Sequence, residues 1–224
     1  MEAEFAVKDT WCIKAVGSNS LLELRALYPA PNKDKKWPII KRFRGSDFDS
    51  VKELKEAFEA EALRLNSEGY NIYTPLNPIK SDTDIPNGKS CKDVDIKYRD
   101  VFFLDLDRIG GTEQPANDEE LEQAEQVADA VSAYLKAEGL VDPIKVMSGN
   151  GYHLYYVLDN VPNTVEATES IQALLKVLGA KFDTDTIKID QSVYNASRIT
   201  KVLGCIARKG VESEGRPYRM ARLC

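Results

Sequence analysis

The feature that most constrains this chain is the run Asp100–Asp107, where the apolar stretch Val101–Leu104 passes directly into Asp105-Leu106-Asp107. Such a run predicts a strand, and a strand places alternate side chains on one face. Asp105 and Asp107 therefore point the same way, about 6–7 Å apart along the chain. Two carboxylates held like this at the edge of a sheet repel one another, and each raises the other's pKa unless a cation lies between them. Hard oxygen ligands favour Mg²⁺ or Mn²⁺. A strand that simply ends in a polar loop has the same spacing, and so do aspartyl-nucleophile phosphatases, glycosyltransferases, nucleotide cyclases and polymerases. The phosphatase pattern wants Gly-Thr after the second aspartate, where this chain has Arg108.

Helical and strand-like patterns interleave around this run, and there is no internal repeat. A helix is predicted from Ser50 to about Ser67: Ser50 and Glu53 form a capping box, Val51, Leu54, Phe58, Ala62 and Leu65 make one stripe, and Gly69 ends it. A second opens at Asn117 with Glu120 and runs to Gly139, and a third follows Asn163-Thr164 and ends before Gly179. Strands are predicted at Trp11–Val16, Tyr70–Tyr73, Asp100–Asp107, Ile144–Met147, His153–Leu158, Thr186–Asp190 and Ile199–Ile206. The turn formers Ser148-Gly149-Asn150-Gly151 make Ile144–Leu158 a hairpin. The class is α+β or α/β with a mixed sheet, and the polar segment Lys80–Lys97 is expected to be a mobile loop.

With 224 residues, 43% of them hydrophobic, the chain is long enough for one domain or two closely joined subdomains. Its longest apolar runs fall far short of a membrane helix, and no basic segment followed by an apolar one opens it, so a cytoplasmic protein without a membrane partner is expected. Cys12, Cys91, Cys205 and Cys224 lack any CxxC spacing, and there is a single histidine, which argues for reduced thiols rather than zinc or disulfides. The net charge is −6, yet Ser197–Cys224 holds seven basic residues against two acidic ones. That +5 tail leaves −11 on the remainder, an asymmetry that suits a fold with one basic face.

Two further segments carry chemistry. In Ser148-Gly149-Asn150-Gly151-Tyr152-His153, the glycines let a ligand approach the backbone, the exposed N–H groups can form an anion nest, and His153 can donate to a phosphate oxygen. An ordinary hairpin turn before a half-buried histidine reads the same way. Further on, Asp190 closes a strand as a third carboxylate, and Asn195, Arg198 and Lys201 recur at intervals of three, on a helical turn or in a tight loop. Their charge suits a triphosphate or a template backbone, or simply a solvated basic surface.

Taken in order, Phe102-Phe103-Leu104-Asp105-Leu106-Asp107, Ser148-Gly149-Asn150-Gly151-Tyr152-His153 and Ile189-Asp190 resemble the motifs of the archaeo-eukaryotic primase superfamily, in particular the primase-polymerases of phages, plasmids and CRISPR-associated operons. Weaker similarity runs through Glu23-Leu24-Arg25-Ala26, Ile72-Tyr73 to Asn77-Pro78, and Lys209-Gly210 to Arg216-Pro217-Tyr218-Arg219. The chain departs from the family at Gly151, where a serine is common, and at Gly204-Cys205, where Gly-Thr is common.

The resemblance implies an RRM-like catalytic sheet, about 99–224, beside an N-terminal αβ unit, about 1–98. It implies a DNA-directed nucleotidyltransferase working on a single-stranded DNA template and primer with NTP or dNTP. Two divalent ions, Mg²⁺ or Mn²⁺, would be held by Asp105, Asp107 and Asp190, and the nucleotide by Ser148, Gly149, Gly151, His153, Asn195, Arg198 and Lys201. A helicase domain follows in many relatives, so a short enzyme or an excised catalytic domain with a replication or CRISPR partner is expected. Two other classes stay open on the residues. One is a non-catalytic nucleic-acid-binding module presenting Phe103, Tyr155 and Tyr156 on an RRM-like sheet. The other is a metal-dependent phosphohydrolase or nuclease.

Overall fold

The computed structural model describes residues 7–29, 37–111 and 113–224. The first elements in chain order are β1 (Leu21–Leu27), β2 (Ile39–Arg44), α1 (Val51–Ser67), β3 (Asn71–Pro75), β4 (Tyr98–Arg108) and α2 (Asp118–Ala137). They are followed by β5 (Ile144–Met147), β6 (Gly151–Pro162), α3 (Val165–Phe182), β7 (Ile187–Ile189), β8 (Ile199–Lys201), β9 (Ile206–Ala207), β10 (Arg219–Met220) and β11 (Arg222–Leu223).

The expected α+β class holds, with sheets ordered β2-β1-β3-β8, β11-β5-β6-β4-β7 and β10-β9. Among the described residues all the strand pairings are antiparallel, where a mixed sheet was expected. The reason lies in the connections. β4 and β5 run in the same direction and are joined by α2, but β6 inserts between them; β6 and β7 are likewise joined by α3 and separated by β4. This is the split βαββαβ arrangement of an RRM-like sheet.

Helices α2 and α3 cover one face of that sheet, and Leu104, Leu106, Val131, Leu135, Leu154 and Leu175 close a common core there. Burying each of these side chains contributes about 1.5–3 kcal/mol. Helix α1 packs on the first sheet through Leu54, Phe58, Ala62 and Leu65 against Leu22, Leu24 and Ile72.

The helix starts follow from their caps. Ser50 and Thr164 accept from the amides of Glu53 and Ala167, and Asn117 with Glu120 forms a complete capping box. Gly69 and Gly139, both at φ +97°, follow α1 and α2. Gly179 does not end α3, which continues to Phe182. Gly179 lies under the Gln191 side chain, whose Nε2 would be 2.4 Å from a Cβ built there.

Two other expectations are corrected. Trp11–Val16 is not a strand: Val7–Cys12 forms a 3-10 turn, in which Trp11 packs edge-on against Phe58 at 5.4 Å and donates to Glu59. The strand pairs formed by β1 and β2 take that place in the sheet, with a register running from Leu21↔Arg44 to Ala26↔Ile39. Segment 80–97 is irregular but anchored, with Cys91 and Ile96 buried. There the Cys91 N–H donates to the fully buried carboxylate of Glu23, and Arg42 donates to the carbonyls of Ile85 and Pro86.

Candidate active site

The site forms where the two larger sheets face each other. β8 pairs with β3 (Thr74↔Thr200, Tyr73↔Lys201), so Arg198 to Lys201 stand on the first sheet, opposite the carboxylates of β4. Between them lies a cleft of about 490 Å³ whose lining includes Asp105, Asp107, Ser148, His153, Arg198 and Lys201.

The β4–β6 register brings two of the sequence motifs side by side, because Asp105 is opposite His153 and Asp107 is opposite Gly151. His153 Nε2 lies 3.4 Å from Asp105 Oδ1. The turn before it needs its glycines. Gly149 sits at φ +99°, and a Cβ on Gly151 would come within 2.1 Å of the Leu106 carbonyl oxygen. A side chain at 151 has no room on this backbone. Ser148 closes the turn, donating from N and Oγ to the Gly151 carbonyl at 2.9 and 3.1 Å.

Four of the sequence-selected residues do not line the cleft: Gly149, Gly151, Asp190 and Asn195. The two glycines shape the turn from behind. The Asp190 N–H donates to the Asp105 carbonyl at 2.8 Å, which places Asp190 beside Asp105 across the β4–β7 pair, and its Oδ1 accepts from Ser192 N. Asn195 lies in a tight loop and accepts from Arg198 Nε at 3.0 Å, so it orients Arg198.

Several lining residues were not selected from the sequence: Asn71, Tyr73, Asn150, Thr200, Arg208 and Lys209. Lys209 forms an ion pair with Asp107, and Lys201 donates to the Tyr73 hydroxyl at 3.2 Å. Arg208 is fixed by a reciprocal pair of 2.6 Å backbone hydrogen bonds with the Asn71 amide. In the sequence, Arg208 stands out only through the basic character of the C-terminal tail, and Lys209 through that and through the weaker similarity that begins at Lys209-Gly210.

No protein-family model matches the sequence, and no curated protein matches it. Among solved structures, the chain is similar to the AEP (archaeo-eukaryotic primase) domain of the primase-polymerase of cyanophage S-2L, with a TM-score of 0.56 and 18% identity over 99% of this chain and 91% of that one. The chain has the archaeo-eukaryotic primase fold. The polymerase domain of Mycobacterium tuberculosis ligase D in complex with DNA aligns with a TM-score of 0.48 and 17% identity over 84% of this chain and 70% of that one.

Within this primase fold the two carboxylates differ in their surroundings. Burial works to raise the Asp105 carboxyl, but His153, by its charge when protonated and by its hydrogen bond, outweighs it together with Lys201 and Lys209, and the pKa falls below the ordinary value. Burial raises Asp107, the Asp105 charge adds to the rise, and Lys209 only partly offsets it.

The donor set also bears on a metal. Among the described residues no three acidic, histidine or cysteine side chains cluster as a closed metal cage. Two hard carboxylates at the mouth of a cleft suit Mg²⁺ or Mn²⁺ nonetheless, since these ions take one or two carboxylates and fill their other positions with water and phosphate oxygens. No helix among the described residues is long and apolar enough to cross a membrane.

Proposed function

We propose that the chain is a template-dependent nucleotidyltransferase that primes or extends DNA on a single-stranded template. The observation that carries this reading is the cleft itself: Asp105 and Asp107 on one wall face Arg198, Lys201, Arg208 and Lys209, in a volume suited to a nucleotide. A division near residue 98 into an N-terminal αβ unit and a catalytic unit belongs to the same reading, with β8 returning to the first sheet.

Asp105 and Asp107 would hold the divalent ions, with Asp190 as a further carboxylate from the neighbouring strand. When bound, the metal supplies neutralisation of charge at the α-phosphate and a more acidic 3′-hydroxyl. The chain's own residues do the rest. Arg198 and Lys201 bind triphosphate oxygens through charge-assisted hydrogen bonds. His153 donates to a phosphate oxygen from the strand beside the carboxylates. Asn195 holds the Arg198 fork in orientation, and the Gly149 and Gly151 turn lets Ser148 and His153 share one end of the cleft.

The binding-module alternative needs an aromatic platform, and that platform is covered. Tyr155 is fully buried and Tyr156 lies beneath the helices at 2% exposure, while Phe103 shows only 5% of its surface where it lines the cleft, too little for bases to stack on. A phosphohydrolase or nuclease is separated by product. End-labelled single-stranded DNA incubated with nucleotides and Mg²⁺ or Mn²⁺ lengthens under the present reading, and shortening of the strand overturns it.

A further inference from the structure

A buried chain of hydrogen bonds runs behind His153 and links the two larger sheets. His153 Nδ1 lies 2.7 Å from the Tyr155 hydroxyl, and that hydroxyl lies 2.6 Å from Thr200 Oγ1. Tyr155 is completely buried, and Thr200 and His153 are 2% and 4% exposed. Two residues apart on β6, His153 and Tyr155 project from the same face, and Thr200 reaches them from β8. At its other end the ring presents Nε2 to Asp105 Oδ1 at 3.4 Å.

We infer that Tyr155 and Thr200 are positioning residues that fix the ring proton of His153 on Nε2, the nitrogen facing Asp105. Each hydroxyl brings one proton, and buried donors need acceptors. If Thr200 donates to Tyr155 and Tyr155 donates to Nδ1, then both hydroxyl protons have acceptors and Nε2–H is left facing the Asp105 carboxylate at 3.4 Å, free to turn to a ligand.

With the opposite polarity, Nδ1–H donates to Tyr155 and Tyr155 donates to Thr200. The Thr200 proton then has no acceptor beyond the chain itself, and a singly protonated ring turns a lone pair towards the Asp105 carboxylate. The first arrangement satisfies the buried groups, and the tautomer of a histidine is set by the partner of its other nitrogen. Resting on the proposed function, it gives that site an N–H donor for an anionic phosphate oxygen. The donor is supplied by a side chain that cannot rotate away without breaking a buried bond.

The chain holds one histidine, so labelling with ¹⁵N-histidine gives a single pair of ring-nitrogen resonances. In the ligand-free wild type, well above the ordinary imidazole range, Nδ1 is expected to read as pyridine-type and Nε2 as pyrrole-type. Tyr155→Phe is expected to yield a mixture of tautomers, and Thr200→Val a smaller shift in the same direction. In strand synthesis, Tyr155→Phe is expected to raise the KM for nucleotide about tenfold with a smaller change in kcat, the equivalent of one hydrogen bond.

A pyrrole-type Nδ1 in the wild type overturns the inference. So does a Tyr155→Phe spectrum identical to that of the wild type, because Asp105 alone would then set the tautomer. Should Tyr155→Phe fail to fold, the wild-type spectrum and Thr200→Val still decide. The spectra need neither nucleotide nor DNA, so a protein that makes no strands leaves this result standing and loses only the functional reading.

Discussion

Asp105 and His153 stand directly opposite one another on β4 and β6, with Nε2 3.4 Å from Oδ1. Segments some fifty residues apart in sequence thus meet through strand register alone, and a slip of one residue would send either side chain to the helix-covered face. Holding that register is the task of the turn before His153.

Gly151 is the point where the register is most exposed to substitution. A side chain there runs into the Leu106 carbonyl, whose backbone has no room to retreat between β6 and β7. Gly151→Ser is therefore expected to destabilise the fold by about 1–3 kcal/mol, in the range of overpacked cores. Urea unfolding checks this, and a variant as stable as the wild type contradicts it.

Lys14 gives a pH dependence with a definite sign. Burial lowers its pKa from 10.5 to about 8, against the pull of Cys91, Asp100 and Glu23, and its ammonium donates to the Pro75 carbonyl at 2.7 Å. Between those two pKa values the unfolded chain binds more protons than the folded one, so the Lys14 contribution to stability rises with pH. Relative to Lys14→Met, the wild type should gain up to about 3 kcal/mol from neutral pH to the upper pKa. A difference that stays flat in paired unfolding curves contradicts the burial of this charge.

Glu23 anchors segment 80–97 to the first sheet. Its buried carboxylate accepts from Arg25 at 2.7 Å, from Arg42 at 3.2 Å and from the Cys91 N–H at 3.0 Å. Glu23→Ala leaves two guanidinium groups without their partner and is expected to lower stability by about 3–5 kcal/mol. Amide exchange should accelerate first around Cys91, and unchanged protection there contradicts the anchoring role.

The legible parts of this molecule were those with local patterns. The apolar run into Asp-Leu-Asp marks β4 and its carboxylates, the turn formers mark the β5–β6 hairpin, and caps mark the helix starts. β1 is not among the predicted strands although Leu22-Glu23-Leu24-Arg25-Ala26 alternates; what the alternation does not carry is that Glu23, on the polar side, is fully buried with its arginine partners. Lys209 escaped because it meets Asp107 from 102 residues away, and Tyr155 and Thr200 because they meet only when β8 crosses to the first sheet. Asn195 bonds to Arg198 but does not line the cleft, a distinction that spacing by three does not carry.

The most direct measurement compares wild type with Asp105→Ala/Asp107→Ala on single-stranded DNA with labelled nucleotides and Mg²⁺ or Mn²⁺, with and without a primer. The account predicts new or lengthened strands from the wild type and a loss of at least about a thousandfold in the variant, comparable to removing a main electrostatic element of a catalytic site, with circular dichroism unchanged. Strand synthesis by the double variant at the wild-type rate would contradict it.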